Sequence, residues 1–186
     1  MTDSRSLNTG IAGVEDAAEL AALINRAYSA APGASGWVGD RTFQDGERTD
    51  DAEVLDAVRR PGSQVLMLRL GTTAVACCAL ETVGTGQHLS LFAVDPAVQS
   101  GGLGRTLLAW AEQVAIDEGA EFVFLEAMEH HRALREWYAR AGYADTGDRV
   151  GLNPPAFPTP VTLVLMRKQL GTESGSHGRA AADPSD

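Results

Sequence analysis

Apolar residues change their spacing several times along the chain, and each change marks a predicted element. A short strand over 9–12 precedes a helical stripe of Leu20, Ala21, Ile24, Ala27 and Tyr28, with Asp16 and Glu19 three apart as its start signal. Residues 29–50 keep no period. They hold Pro32, Gly33, Gly36, Gly39 and Gly46, yet also Trp37 and Phe43, and read as a loop that folds over something. Thr49 or Asp50 caps a second, short helix through Val54, Leu55 and Val58, which Pro61-Gly62 ends. From Ser63 the period falls to that of strands: 65–70, 73–82 and 87–94, separated by two short Gly-containing turns, predict an antiparallel meander. Leu103, Leu107, Trp110, Ala111 and Val114 then repeat at helical spacing up to Gly119. The apolar run 122–125 fits a strand covered on both faces, and 132–141 is a helix with Leu134, Trp137, Tyr138 and Ala141 on one side and Gly142 at its end. After Tyr143 the chain turns through Gly147 and a proline-rich stretch into a last strand over 161–167. The domain is expected over 9–170, with disordered termini at 1–8 and 171–186.

Composition narrows the class. With 186 residues, 44% hydrophobic and 22% charged, the chain suits one globular domain plus tails. No apolar run approaches the ~20 residues of a membrane span, and residues 1–9 lack the features of a signal peptide, so no membrane role and a cytoplasmic location are expected. The net charge of -10, with Lys168 the single lysine among fifteen basic residues, argues against nucleic acid as a partner and favours a cationic amine. Cys77 and Cys78 are adjacent in a strand, pointing to opposite faces as small buried hydrophobes. No His, Cys and carboxylate cluster has metal-ligand spacing, so no metal is expected.

The stretch from Ser90 to Arg105 carries the chemistry: an apolar strand, an Asp95-Pro96 break, three glycines, and a helix at once. Glycines let backbone N–H groups converge, and a helix N-terminus favours an anion, so a phosphate or pyrophosphate is the natural guest. A nucleotide-binding Walker loop is ruled out because Arg105-Thr106 replaces its Lys-Ser/Thr pair after too short a loop. The dinucleotide fingerprint fails because Leu107 stands where its third glycine belongs. What remains is Gln-x-x-Gly-x-Gly, here Gln99, Ser100, Gly101, Gly102, Leu103 and Gly104 with Arg105 behind it. This resembles the acetyl-CoA pyrophosphate loop of the GNAT superfamily of N-acetyltransferases. The segment 133–143 resembles the second signature of that family, in which a tyrosine four residues before a Gly-aromatic pair faces the cofactor sulfur; that residue is Tyr138. The order of predicted elements is also similar to the whole fold, over roughly residues 9 to 170.

The resemblance implies a mixed α/β (α+β) fold, a mostly antiparallel twisted sheet of about seven strands flanked by four helices. It implies acetyl-CoA as cofactor, held by residues 99–105 and by the backbone of Phe92, Ala93 and Val94, with an N–H near Val94 polarising the thioester. It makes Tyr138 the proton donor to the leaving thiolate. For the base, His88 stands where some relatives carry a catalytic glutamate; Glu81 and Glu126 are alternatives. His131 replaces a cofactor-binding asparagine seven residues before the tyrosine, and is either a substitute donor or a helix cap. The acceptor, an amine of a small molecule or peptide, would be chosen by residues 37–51, with Trp37 and Phe43 as walls. Asp40, Asp45, Glu47, Asp50 and Asp51 would attract its charge, and Arg41 or Arg48 would pair with any carboxylate. Direct transfer in a ternary complex is the expected mechanism. A non-catalytic acyl-CoA-binding module and a different acyl group or acceptor are the rivals, and a homodimer suits the fold.

Overall fold

The computed structural model describes residues 6–29, 48–152 and 161–171. In chain order these form β1 (Leu7–Ile11), α1 (Ala17–Ser29), α2 (Asp51–Arg59), β2 (Ser63–Leu70), β3 (Thr73–Val83) and β4 (Gly86–Val94). There follow α3 (Leu103–Asp117), β5 (Phe122–Met128), α4 (Arg132–Arg140), β6 (Ala144–Leu152) and β7 (Val161–Gln169). Short 3-10 turns at Val14–Asp16 and Pro96–Gly101 lead into α1 and α3. The seven strands make one sheet in the order β1-β2-β3-β4-β5-β7-β6, antiparallel at every pairing except β4 with β5. The expected mixed fold of seven strands and four helices is therefore present.

Two cores sandwich the sheet. On one face α1 and α2 bring Leu20, Leu23, Ile24 and Val54 against Val65, Met67, Cys77 and Ala79. On the other, α3 and α4 bring Leu103, Leu107, Leu108, Ala111 and Tyr138 against Leu66, Cys78, Leu80, Val123, Leu125 and Val164. Each large side chain so buried contributes roughly 1.5–3 kcal/mol relative to exposure. The two cysteines divide between the cores, with their thiols free and buried, as their adjacency in a strand requires. Asp50 rather than Thr49 caps α2: its carboxylate accepts from the Glu53 N–H at 2.8 Å, while the Thr49 hydroxyl donates to the Glu53 carboxylate at 2.7 Å.

Two features differ from the sequence reading. The stretch after Tyr143, where the residue pattern located only a turn, holds the edge strand β6 that completes the seven the resemblance implied; its register against β7 breaks between Asp145 and Arg149, around Gly147 at φ 89°. Its residues ADTGDRVGL hold four polar side chains and two glycines, as an exposed edge strand with one paired neighbour allows, and its apolar spacing therefore gave no strand signal. The second feature lies within β4. Leu91 has φ 50°, and Ala79 pairs with Ser90 while Cys77 pairs with Ala93, so one strand carries an extra residue. The bulge reverses the alternation: Leu89 packs in the α3/α4 core, Leu91 in the α1/α2 core, and Phe92 and Val94 return to the α3/α4 side. A left-handed leucine costs on the order of 1–2 kcal/mol, which the packing of its side chain in the α1/α2 core offsets.

Candidate active site

The parallel pairing of β4 and β5 is short. It runs through Gly86↔Phe122, Gln87↔Val123 and His88↔Phe124 and then stops. Beyond it β4 continues beside β3 as far as Val94, and β5 beside β7 as far as Met128, so a wedge opens in the middle of the sheet. The Asp95 N–H donates to Val75 on β3 at 2.8 Å, and strand alternation then directs the amides of Phe92 and Val94 away from β3, toward the wedge.

The glycine-rich turn sits at the far end of the same strand. Asp95 caps its 3-10 helix by accepting the Ala97 N–H at 3.0 Å, and Gly102, at φ 74° and ψ 8°, turns the chain into α3. At both Gly101 and Gly102 nothing stands within 4 Å of where a Cβ would be, so the turn borders open space on that side. No side chain caps α3 and no acidic residue lies in its first turn, which leaves its N-terminal amides and the helix dipole for an anion. Arg105 projects from that turn into a cleft of about 230 Å³ between α3 and α4, lined also by Trp137, Arg140 and Lys168. Lys168 pairs there with Glu112 at 2.7 Å.

Tyr138 stands on α4 with 5% of its surface exposed, edge-on to Phe92 at 6.3 Å between ring centroids and to Tyr143 at 5.6 Å. Burial, with smaller contributions from Tyr28 and Cys78, holds its phenol well above the ordinary value of 10.0, so it remains a proton donor at any physiological pH. Tyr28, on α1, approaches from the opposite face: its hydroxyl lies 3.5 Å from the Phe92 carbonyl, under the Arg48 guanidinium, whose carbon is 5.4 Å from the ring centroid. Sequence reasoning saw Tyr28 only as part of a helical stripe, and nothing local in the sequence signals its place beside the wedge.

His131 stands at the N-cap position just before Arg132, but its side chain makes no capping hydrogen bond to α4, which removes the cap alternative. Its Nδ1 is buried and has no hydrogen-bond partner. The His131 N–H donates to the Met128 carbonyl at 3.0 Å, fixing the residue just past the end of β5, at the other lip of the wedge from the glycine turn.

At the apex of the wedge the three candidate bases separate. His88 and Glu126 come together, Nε2 to Oε2 at 2.6 Å, with 23% and 29% of their side chains exposed. The His88 hydrogen bond, partly opposed by burial, lowers the Glu126 carboxyl below its usual range. The His88 ring is stacked on Phe124 at 4.9 Å. Glu81 pairs with His88 across β3 and β4, but its carboxylate is held by Arg60 at 3.0 Å.

Of the residues expected to select the acceptor, Trp37, Asp40, Arg41, Phe43, Asp45 and Glu47 lie outside the described residues. Arg48 is 3.7 Å from Glu53 and Asp50 caps α2, so both are engaged in holding α2, of which Asp51 is the first residue. Burial pushes the Cys77 thiol up to about 12 and raises Cys78 as well, which leaves neither nucleophilic. Among the described residues no His, Cys, Asp and Glu form a group placed to hold a metal. No helix among them is long and apolar enough to cross a membrane.

Comparison with known proteins agrees with this geometry. The family model of the acetyltransferase (GNAT) family matches residues 25–143. Over 64 residues the chain is 36% identical to the S-(2-succino)cysteine N-acetyltransferase of Bacillus subtilis (strain 168); the match spans 33% of this chain and 39% of that enzyme. The ribosomal-protein-S18-alanine N-acetyltransferase of Escherichia coli superposes with a TM-score of 0.72 at 16% identity, over 92% of this chain and 98% of the other. A Salmonella typhimurium protein solved with its cofactor acetyl-CoA superposes at 0.64 and 20% identity, over 96% and 99%. The PaiA N-acetyltransferase of Thermoplasma acidophilum, solved with coenzyme A, superposes at 0.63 and 15% identity, over 88% and 99%.

Proposed function

The chain belongs to the GNAT acetyltransferase family, and from that premise we propose that it moves an acetyl group from acetyl-CoA to a primary amine of a small molecule or peptide, both bound at once. One observation carries the reading: the wedge between β4 and β5 has a glycine turn and an uncapped helix N-terminus at its outer end and a histidine-carboxylate pair at its apex.

The residues present fit the cofactor. The open space over Gly101 and Gly102 and the unpartnered Nδ1 of His131 are what a pyrophosphate and its attached arm would fill. The amides of the turn 99–105 would hold the pyrophosphate, Arg105 would add charge beside it, and the backbone of Phe92, Ala93 and Val94 would align the arm along β4. Acetyl-CoA supplies an acyl carbon already activated as a thioester. A main-chain N–H near Val94 would stabilise charge developing on the carbonyl oxygen, and one such donor is worth about 3 kcal/mol.

The amine reaches a protein mostly protonated, with a pKa near ~10, so the site has to take a proton from it. Glu126 can only accept, so it draws the His88 proton to Nε2 and leaves the Nδ1 lone pair for the amine. Tyr138, kept as a neutral phenol by burial, gives its proton to the departing sulfur. Nucleophile, base and acid are then separate groups, and direct transfer needs no covalent enzyme intermediate.

The test is release of free thiol from acetyl-CoA over a panel of polyamines, amino acids, aminoglycosides and peptide N-termini, for the wild type and Tyr138→Phe. Turnover with at least one amine, reduced roughly tenfold or more in the variant, is expected. Tight acetyl-CoA binding by calorimetry without turnover of any amine would replace catalysis by a binding role.

A further inference from the structure

Phe124 pairs across the sheet with His88 on β4 and with Arg167 on β7, so the three stand in one row. They lie on the α1/α2 side of the sheet, since the neighbours Val123, Leu125, Val164 and Met166 all face the α3/α4 core. Adjacent strands are about 4.8 Å apart, which puts the His88 and Arg167 backbones roughly 10 Å from each other. Aromatic rings fill the space between. Phe122 lies 6.2 Å from Phe124, and a Cβ on Gly86 would run into the Phe122 ring, so that ring extends over β4. The Arg167 guanidinium lies over its face at 5.0 Å.

Arg167 differs from the other arginines of the strands. Arg69 is paired with Asp16 at 2.6 Å and Glu19 at 2.8 Å, and Arg149 with Glu129 at 3.0 Å and Asp145 at 2.9 Å. Arg167 is exposed and has no carboxylate partner among the described residues, although the chain carries 25 acidic residues against 15 basic ones. An exposed guanidinium with no carboxylate partner among the described residues, in the same strand row as the His88–Glu126 pair, is placed for an anion that arrives from outside.

We infer that Arg167 binds a carboxylate of the acceptor, and that the acceptor is therefore a small amino-carboxylate spanning the row from Arg167 to His88, with its amine at His88. This rests on the acetyl-transfer reading above. The arginine side chain spans part of the ~10 Å row and the acceptor the rest. A carboxylate suits a single planar guanidinium, whose fork matches its two oxygens. A phosphate dianion calls for a second cation, and Arg149, the arginine of the neighbouring strand β6, is already taken by Glu129 and Asp145.

The reaction products provide the cleanest probes, because acetylation removes the amine charge that would otherwise differ between an amino acid and its amide. N-acetyl-L-leucine and N-acetyl-L-phenylalanine, each beside its primary amide, are titrated by calorimetry into CoA-loaded wild type, Arg167→Ala and Arg167→Lys. The wild type should bind at least one acid about tenfold or more tightly than its amide, Arg167→Ala should bring the two within about twofold, and Arg167→Lys should keep part of the difference. Equal binding of acid and amide, no binding of either acid, or a preference that survives Arg167→Ala overturns the inference. Acetyl-CoA affinity is measured on the same three proteins. A wild type that does not bind acetyl-CoA removes the premise itself, whereas normal acetyl-CoA binding with no acid preference removes the carboxylate site alone.

Discussion

His88 Nε2 and Glu126 Oε2 lie 2.6 Å apart although they sit on strands that have just stopped pairing: His88 belongs to the last paired rung, and Glu126 is two residues beyond its partner Phe124. The side chains close a gap that the backbones have begun to open. In the proposed mechanism the carboxylate acts only through the imidazole, so the effects of removing the two are non-additive. His88→Gln should lower kcat by about 10²–10⁴. Glu126→Gln should lower it by a smaller factor, about 10–100. The double variant should be no slower than His88→Gln alone. Multiplying effects in steady-state kinetics would mean that the two residues act separately.

Gly102 makes the turn into α3 at φ 74°, where any side chain is strained, and its missing Cβ leaves open space at the glycine turn. Gly102→Ala should cost about 1–2 kcal/mol of stability. It should also weaken acetyl-CoA binding, by about tenfold if the loss is near 1.4 kcal/mol. Chemical denaturation and calorimetry check the two effects separately, and unchanged acetyl-CoA affinity would place the pyrophosphate elsewhere.

Gly86 tests the aromatic floor rather than the cofactor turn. A Cβ there collides with the Phe122 ring, so Gly86→Ala should destabilise the fold by about 1–3 kcal/mol by overpacking. Gly86 opens β4 and the glycine turn follows its end, so acetyl-CoA affinity should be unaffected. A thermal melt indistinguishable from wild type would mean that the ring has another place to go.

All three tyrosines of the chain, Tyr28, Tyr138 and Tyr143, are held above the ordinary value of 10.0, in each case chiefly by burial. The folded state thus prefers the protonated phenols more than the unfolded chain does. Their contribution to stability is complete below about pH 10 and is lost as the pH rises through the elevated native values. In an alkaline titration followed by ultraviolet absorbance, tyrosinate should be nearly absent from the native protein at pH 10 and about half-formed in denaturant. Native tyrosinate at the ordinary pH would contradict the burial of Tyr138 and with it the neutral donor.

The helices and the glycine turn were legible because their signals are local: the Leu103–Val114 stripe, Gly142 after α4, and three glycines between a strand and a helix each declare themselves within a few residues. The edge strand β6 was not, since it buries too little on its polar faces to show a period. Nor was the bulge at Leu91, for nothing in Leu-Ser-Leu-Phe-Ala-Val says which residue is the extra one; the cores on either side decide. In the site, His88 and Glu126 appeared as rivals for one role. That they are partners follows from the β4–β5 register, which joins residues 38 apart in sequence and has no local trace. Arg167 was missed for the same reason, because its row is made by two strand pairings.

Lys168 is the only lysine among fifteen basic residues, and it is spent in an ion pair with Glu112 on the face of the sheet opposite His88. A thioester acetylates accessible lysines without any enzyme, so a protein that holds one at a pocket exposes its own surface to slow self-modification. Arginine is always charged and offers no such amine. With arginine at every other basic position, the chain keeps its cations while presenting almost no side-chain amine to an acyl thioester such as the proposed acetyl-CoA, so its surface charge would be protected from gradual neutralisation.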